Sequence, residues 1–586
     1  MGQVLLSGNE AVARGAWEAG VSLGVGYPGT PSTEVLENLS RFEGVVSEWA
    51  PNEKVALEVA SGASMAGART LVTMKHVGLN VAADPLYTLA YTGVRGGLVV
   101  FVADDPGMHS SQNEQDTRMH ALAAHVPVLE PSDSAEAHRF TKRAFEMSEE
   151  FDVPVILRSV TRLSHSKGLV ELGERVEKGA TGYSKDVSKY VMMPAFARGR
   201  RADLEERFSR LAESLESSEL NQVEPGEGDF GVVVAGVAYH HVREVLPDAP
   251  VFKLGVVHPL PETALRRFAE EVGRLVVVEE LSDLLFSRIS ALGIPVEAAD
   301  VPRMGELRPS HVAAAFGLET PQAGCERFDG LPSRPPLLCA GCPHRGVFWA
   351  LRRLRAVVTG DIGCYTLGTL PPLSSMDSCL CMGASIGMAH GLSLIQGATE
   401  RPVVAVIGDS TFAHSGLTGL AHVAYNRGSA TVVILDNRTT AMTGHQDNPV
   451  TGRTLMGEET WAMDLEEVAR ALGAETVVTV DPHDLGATEA ALRSATAATG
   501  LSVVVAKAPC ALLERSRDEA FAVDEDACTA CMACIRLGCP AISKGEDGGA
   551  VIDVSQCVGC GDCVQVCKFD AIVPAGAACD VGGGAR

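Results

Sequence analysis

Two cysteine runs near the C-terminus restrict this chain more than any other feature. Cys528-x2-Cys531-x2-Cys534-x4-Cys539-Pro540 is followed by Cys557-x2-Cys560-x2-Cys563-x3-Cys567. The N-terminus, Met-Gly-Gln-Val-Leu-Leu, has neither the charged n-region nor the apolar h-region of a signal peptide. The expected location is therefore the reducing cytoplasm, where the 16 cysteines serve metal or redox chemistry rather than disulfides. Zinc ribbons need four cysteines per site in two pairs, and two triplets with trailing cysteines fit that scheme poorly.

The spacing is that of two-cluster bacterial ferredoxins, in which the fourth cysteine of each run ligates the other cluster. That pattern assigns Cys528, Cys531, Cys534 and Cys567 to one [4Fe-4S] cluster. It assigns Cys557, Cys560, Cys563 and Cys539 to the other. The x4 gap in the first run and Lys568 in place of a proline are departures expected to adjust loop geometry. An α+β ferredoxin-like domain is expected over residues 520–577, with a flexible tail at 578–586.

The remaining chain reads as α/β multidomain. At 586 residues it is too long for one core, and about three to five domains are expected. A net charge of −25 without any Lys/Arg-rich run argues against nucleic acid and anionic membranes as partners. No apolar run reaches the length of roughly 18 residues that a membrane span needs. Residues 1–165 alternate strands and helices in a doubly wound pattern. Residues 166–229 are polar and form a connector, with Leu204, Phe208, Leu211 and Leu215 at helical spacing. A second α/β unit spans 230–330, a transketolase C-terminal-like domain with no evident ligand motif. After a Pro-rich break at 331–336, a third α/β unit spans 331–515.

In that third unit, a strand at 403–407 ends in Gly408-Asp409-Ser410 and a strand at 431–435 ends in Asp436-Asn437-Arg438-Thr439. Adjacent parallel strand ends can hold one hard cation, and Mg²⁺ takes a few such oxygens together with phosphate. The motif resembles the Gly-Asp-Gly…Asn-Asn signature of thiamine-diphosphate enzymes, with Ser410 for the third Gly and Asp436 for the first Asn. The resemblance implies Asp409, Asn437 and the Thr439 carbonyl as Mg²⁺ ligands, with Gly408 and Ser410 against the cofactor. The helix start at Gly383-Ala-Ser-Ile-Gly387 offers N–H groups to an anion. In the first unit, Asn52-Glu53-Lys54 opens a small-residue helix that resembles the pyrimidine-binding domain of the same enzymes. Glu53 is then the acid that bonds the aminopyrimidine, because burial keeps a carboxyl protonated for such sharing. Glu58 and Glu48 are its rivals.

Thiamine and ferredoxin clusters on one chain describe a 2-oxoacid oxidation whose electrons leave one at a time. Tyr27-Pro-Gly-Thr-Pro-Ser, Asn52-Glu-Lys-Val-Ala-Leu-Glu, Thr73-Met-Lys-His-Val-Gly-Leu-Asn and Leu435-Asp-Asn-Arg-Thr-Thr-Ala-Met-Thr-Gly-His resemble the large (alpha) subunits of indolepyruvate ferredoxin oxidoreductases, over essentially the whole chain. That resemblance implies conversion of arylpyruvates, chiefly indole-3-pyruvate, with coenzyme A to arylacetyl-CoA, CO₂ and reduced ferredoxin. It also implies a smaller beta subunit, in a heterodimer or α2β2 assembly. Thr30, Ser32 and Lys75 are candidates for the substrate carboxylate, and His76, His344 and His445 for handling protons or binding that carboxylate. By analogy with related pyruvate enzymes, Cys339, Cys342, Cys364 and Cys510 are candidate ligands of a third cluster, although Cys379 and Cys381 are equally available. Two rival readings are a non-redox thiamine decarboxylase or carboligase, and a non-catalytic iron–sulfur subunit.

Overall fold

The computed structural model describes residues 2–319, 330–331, 335–513 and 519–576. The tail expected at 578–586 and residues 332–334 of the Pro-rich break lie outside them. The chain divides into two compact units, Met1–Arg327 and Phe328–Arg586.

In the first unit, wholly buried strands such as Leu98–Asp104 (LVVFVAD) form the interior of a seven-stranded sheet. Unbroken apolar runs of this kind belong to parallel strands covered on both faces. The strands run in the order Val256–His258, Val128–Leu129, Val155–Val160, Leu98–Asp104, Thr70–Lys75, Leu23–Gly26, Val46–Trp49. All neighbours are parallel except the Val256–His258 edge strand, which is antiparallel to Val128–Leu129. A five-stranded sheet is built around Gly231–Ala235, with Val251–Leu254 and Leu275–Val278 parallel beside it. The short apolar stretch at 251–258 thus carries two strands in two different sheets, Val251–Leu254 and Val256–His258.

The connector is also more integrated than its polarity suggests. Lys167–Glu171 pairs antiparallel with Gln3–Ser7. Pro194–Leu215 is a 22-residue helix that buries Leu204, Leu211 and Leu215, while Phe208 packs on the His258 ring. Two fully buried guanidiniums sit at the strand ends, and one of them, Arg118, reaches the second sheet. Arg158 pairs with Asp104 at 2.7 Å, and Arg118 with Asp116 at 2.7 Å and Glu279 at 3.3 Å. Paired in this way the charges are tolerated; stripped of one partner, each would be strongly destabilising.

The second unit holds a six-stranded, fully parallel sheet in the order Ser378–Cys379, Val357–Gly360, Val403–Gly408, Ala430–Asp436, Leu501–Lys507, Thr476–Val480. Gly408 stands opposite Leu435 in the register, so Asp409 and Asp436 emerge at the same carboxyl edge. The cysteine-rich segment adds two small antiparallel pairs, Phe521–Val523 with Ile572–Pro574 and Ile542–Lys544 with Ala550–Ile552.

Candidate functional site

In the first unit, Asn52 caps the helix Glu53–Met65, its side chain accepting from the Val55 N–H at 2.9 Å. This places Glu53 on the inward face at 4% exposure. Its rivals are both exposed: Glu48 lies on the strand Val46–Trp49, and Glu58 pairs with Lys54 at the surface. The Glu53 carboxyl lies against Gly78, where a Cβ would come within 2.5 Å of Oε1. Lys75 ends the neighbouring strand Thr70–Lys75 and donates to the Ser110 carbonyl at 2.9 Å. Burial pulls its ammonium down to about 8, against the opposing charges of Asp105 and Glu53. Ser110 in turn donates to the Thr30 carbonyl at 3.0 Å, so Thr30, Lys75 and Glu53 share one neighbourhood.

Two candidates are placed differently. Ser32 is fully buried and donates to the Gly29 carbonyl at 2.7 Å, and it makes no side-chain cap to the helix Thr33–Leu39. It braces the Tyr27–Ser32 turn. His76 is fully buried too, with Nε2 3.1 Å from the Asn113 carbonyl, and it likewise braces a loop.

In the second unit, Asp409 is 2% exposed, and its Oδ2 has no hydrogen-bond partner. Burial first, and then the neighbouring Asp436 charge, push it up to about 7, while the N–H groups of Ser410, Arg438 and Thr439 pull it back. Two buried carboxyls at adjacent strand ends with an unpartnered oxygen are a donor set that a hard cation would satisfy. Asn437 and Thr439 are buried beside them, and Thr440 Oγ1 donates to Ser410 Oγ at 3.0 Å. Gly408 is required by the Tyr365 ring, whose Cε1 would lie 2.8 Å from a Cβ there.

The helix start at Gly383 needs correction. The Gly383 N–H donates to Asp361 Oδ1 at 2.7 Å and the Ser385 N–H to Asp361 Oδ2 at 3.1 Å. The anion at this helix start is thus a side chain of the protein itself, and Gly383 has no N–H to offer a diphosphate. Its glycine is needed for φ +87° and for the close approach of Ser415. Gly360-Asp361 follows an apolar strand just as Gly408-Asp409 does, but here the acid holds a helix start.

The cysteines fall into three groups. One cavity is lined by Cys539, Cys557, Cys560 and Cys563, and a second by Cys528, Cys531, Cys534 and Cys567. Each set mixes the two sequence runs in the crossed manner of a two-cluster ferredoxin. A third cavity, of about 110 Å³, is lined by Cys339, Cys342, Cys364 and Cys510, and by Asn437. That is several times the space a water needs. Cys379 and Cys381 do not line it; the Cys379 thiol faces the Asp361 carbonyl at 3.5 Å. Burial pushes Cys342 up to about 12 and Cys364 to about 11, the neighbouring thiols adding to the shift. Among the described residues, no three cysteine sulfurs lie within 4.8 Å of one another. A single ion would gather its thiolates closely, whereas a cluster with iron at each corner spreads them. His344, pulled down to about 4 by burial, and His445, 3.7 Å from the Cys510 sulfur, line the same cavity.

Sheet, strand-end acids and crossed cysteine cavities together define a thiamine-diphosphate-dependent oxidoreductase of the 2-oxoacid:ferredoxin class. The comparisons agree in chain order. Residues 14–199 match pyruvate flavodoxin/ferredoxin oxidoreductase, thiamine diphosphate-binding; 361–506 match the thiamine pyrophosphate enzyme C-terminal TPP binding domain; 520–568 match the 4Fe-4S dicluster domain. The indolepyruvate oxidoreductase subunit IorA of Archaeoglobus fulgidus is 41% identical, with 92% of each chain covered. That of Thermococcus kodakarensis is 42% identical, with 98% of this chain and 97% of its own covered. This chain belongs to that IorA family. A solved 2-oxoglutarate:ferredoxin oxidoreductase from Magnetococcus marinus is 19% identical over 54% of this chain and 65% of its own, with a TM-score of 0.45, too loose a likeness to argue from.

Proposed function

We propose that this chain is the thiamine-binding subunit of an enzyme that oxidises arylpyruvates, chiefly indole-3-pyruvate, with coenzyme A to the arylacetyl-CoA and CO₂, reducing ferredoxin. The observation that carries the reading is that Asn437, at the strand-end acid site, also lines the cavity of Cys339, Cys342, Cys364 and Cys510. Cofactor site and electron exit thus meet in one compact unit.

Bound thiamine diphosphate would supply the carbanion-stabilising centre for decarboxylation. Asp409, Asn437 and the Thr439 carbonyl would hold Mg²⁺ and, through it, the diphosphate, with Gly408 and Ser410 beside them. Glu53 would share a proton with the aminopyrimidine ring from its buried helix start. Lys75 and Thr30 would orient the substrate carboxylate. The cysteine sets would hold two [4Fe-4S] clusters in the C-terminal segment and a third between them and the thiamine site. Iron counting tests the third: about eight Fe per chain refutes it and about twelve supports it.

A smaller beta subunit would complete the enzyme in the cytoplasm, as a heterodimer or α2β2. Among the described residues no helix is long and apolar enough to cross a membrane. The test is anaerobic co-purification with the partner, then viologen reduction by a panel of 2-oxoacids with and without coenzyme A. Indole-3-pyruvate with coenzyme A is expected to give the fastest reduction. A panel in which an aliphatic oxoacid is fastest would move the substrate assignment, and CO₂ release without an acceptor would revive a simple decarboxylase.

A further inference from the structure

Two of the cysteine cavities share a wall. Cys339 and Cys342 line the cavity with Cys364 and Cys510, while Ala340 and Gly341, the two residues between them, line the cavity of Cys539, Cys557, Cys560 and Cys563. Gly341 has φ +67°, and a Cβ there would strike the Val558 side chain. The turn is therefore pressed directly against the second cysteine run.

Arg345 underlies this wall, in the first turn of the helix His344–Leu354, and is 2% exposed. Its Nη2 donates to the carbonyls of Leu338 at 2.9 Å and Cys339 at 2.8 Å. Its Nη1 donates to the Leu537 carbonyl at 2.9 Å, two residues before Cys539. One guanidinium fork therefore ties the Cys339–Cys342 turn to the ferredoxin segment. All three acceptors are neutral, and among the described residues no acid forms an ion pair with Arg345. An unpaired buried cation is costly. Arg118 and Arg158 in this same chain are buried only with carboxylates. Arg345 itself lines the cavity of Cys539, Cys557, Cys560 and Cys563.

We propose that Arg345 is a positioning residue for electron transfer, a fixed cation between the two cavities. It raises the reduction potential of the cluster held by Cys539, Cys557, Cys560 and Cys563, and it clamps the Cys339–Cys342 turn against that cluster. The proposal rests on the iron–sulfur reading above. Its physics is Coulombic: reduction adds one electron to an assembly already negative from four thiolates, and a buried cation close by stabilises the added charge. The cavity of Cys528, Cys531, Cys534 and Cys567 is not lined by Arg345, so a cluster held there would lie outside its influence. No proton or co-reactant is involved.

The test is an EPR-monitored redox titration of the anaerobically purified complex carrying Arg345→Gln or Arg345→Lys, with iron content measured in parallel. In Arg345→Gln the reduced-to-oxidised ratio of one cluster is expected to fall about tenfold at fixed poise, a shift of about 59 mV for a one-electron couple. The cluster held by Cys528, Cys531, Cys534 and Cys567 serves as the internal control and should not move. Arg345→Lys keeps the charge and should hold the ratio within about twofold. Full iron with both clusters unshifted in Arg345→Gln would overturn the proposal and leave Arg345 a brace for carbonyls. If Arg345→Gln loses iron, Arg345→Lys decides: an unchanged potential supports the proposal, and a tenfold fall or the same iron loss refutes it. Wild-type protein with no [4Fe-4S] signal would instead refute the underlying iron–sulfur reading.

Discussion

The Cys510 backbone N–H donates to the Asn437 carbonyl at 3.1 Å. One residue belongs to the strand-end pair beside Asp409, and the other to the cysteine quartet. The loop after Leu501–Lys507 thus returns to the loop after Ala430–Asp436, and a parallel sheet brings both to one edge. Ala508 N–H likewise donates to the Asp436 carbonyl at 3.1 Å, so backbone contacts join the strand-end acids to the loop that carries Cys510.

Asp409→Asn should weaken Mg²⁺–thiamine diphosphate binding at least tenfold, about 1.4 kcal/mol, while leaving iron content unchanged. Calorimetric titration of the cofactor checks the first and iron counting the second. The cofactor-free protein should move the other way. The folded Asp409 is pushed up to about 7 from 3.8. A carboxyl raised in this way costs stability increasingly as pH climbs from its unfolded value to its folded one. The cofactor-free variant should therefore gain thermal stability over wild type, and the gain should grow between pH 4 and pH 7 and level off above.

Glu53→Gln should lower turnover by roughly 10²-fold or more, the range typical for loss of a positioned proton-transfer group, with thiamine still bound. Gly78→Ala should also impair turnover, because the new methyl would press on the Glu53 carboxyl. Steady-state kinetics at saturating cofactor separates both from a binding defect. Normal turnover in both variants would remove Glu53 from the reaction.

Lys75 gives a pH signature. Its ammonium is pulled down to about 8 by burial, so it is cationic below that pH and neutral above. If it receives the substrate carboxylate, kcat/KM for the oxoacid should fall as pH rises through about 8. Lys75→Met should lower kcat/KM and abolish that alkaline limb.

Gln565 ties the ferredoxin segment to the diphosphate-site domain. It accepts from the Leu485 N–H at 3.0 Å and donates to the His483 carbonyl at 2.6 Å. Nearby, His483 Nδ1 lies 2.8 Å from Asp562 Oδ1. Gln565→Ala should cost about 1–3 kcal/mol of docking from two lost hydrogen bonds. Hydrogen exchange should show faster exchange across residues 483–485 and 562–566, with the six-stranded sheet unaffected.

Much of this was legible in the sequence because it is encoded locally. Cysteine spacing constrains which thiols can surround one cavity, and unbroken apolar runs ending in Gly-Asp or Asp-Asn announce parallel strands with acids at one edge. What the sequence hid depends on partners far along the chain. Asp361 occupies the helix start at Gly383, 22 residues away, and no local pattern says which anion a helix terminus will receive. Val256–His258 pairs with Val128–Leu129, more than 120 residues earlier, rather than continuing the sheet of Val251–Leu254 just before it. Ser32 has the residue type of a helix cap, yet its hydroxyl folds back onto Gly29.

The most direct test of the account is to mix the anaerobic, thiamine-loaded complex with indole-3-pyruvate, withhold any external acceptor, and record the EPR spectrum. Reduced [4Fe-4S] signals are expected to form with the first turnover and to be lost in Asp409→Asn. Release of CO₂ with the clusters still oxidised would contradict it.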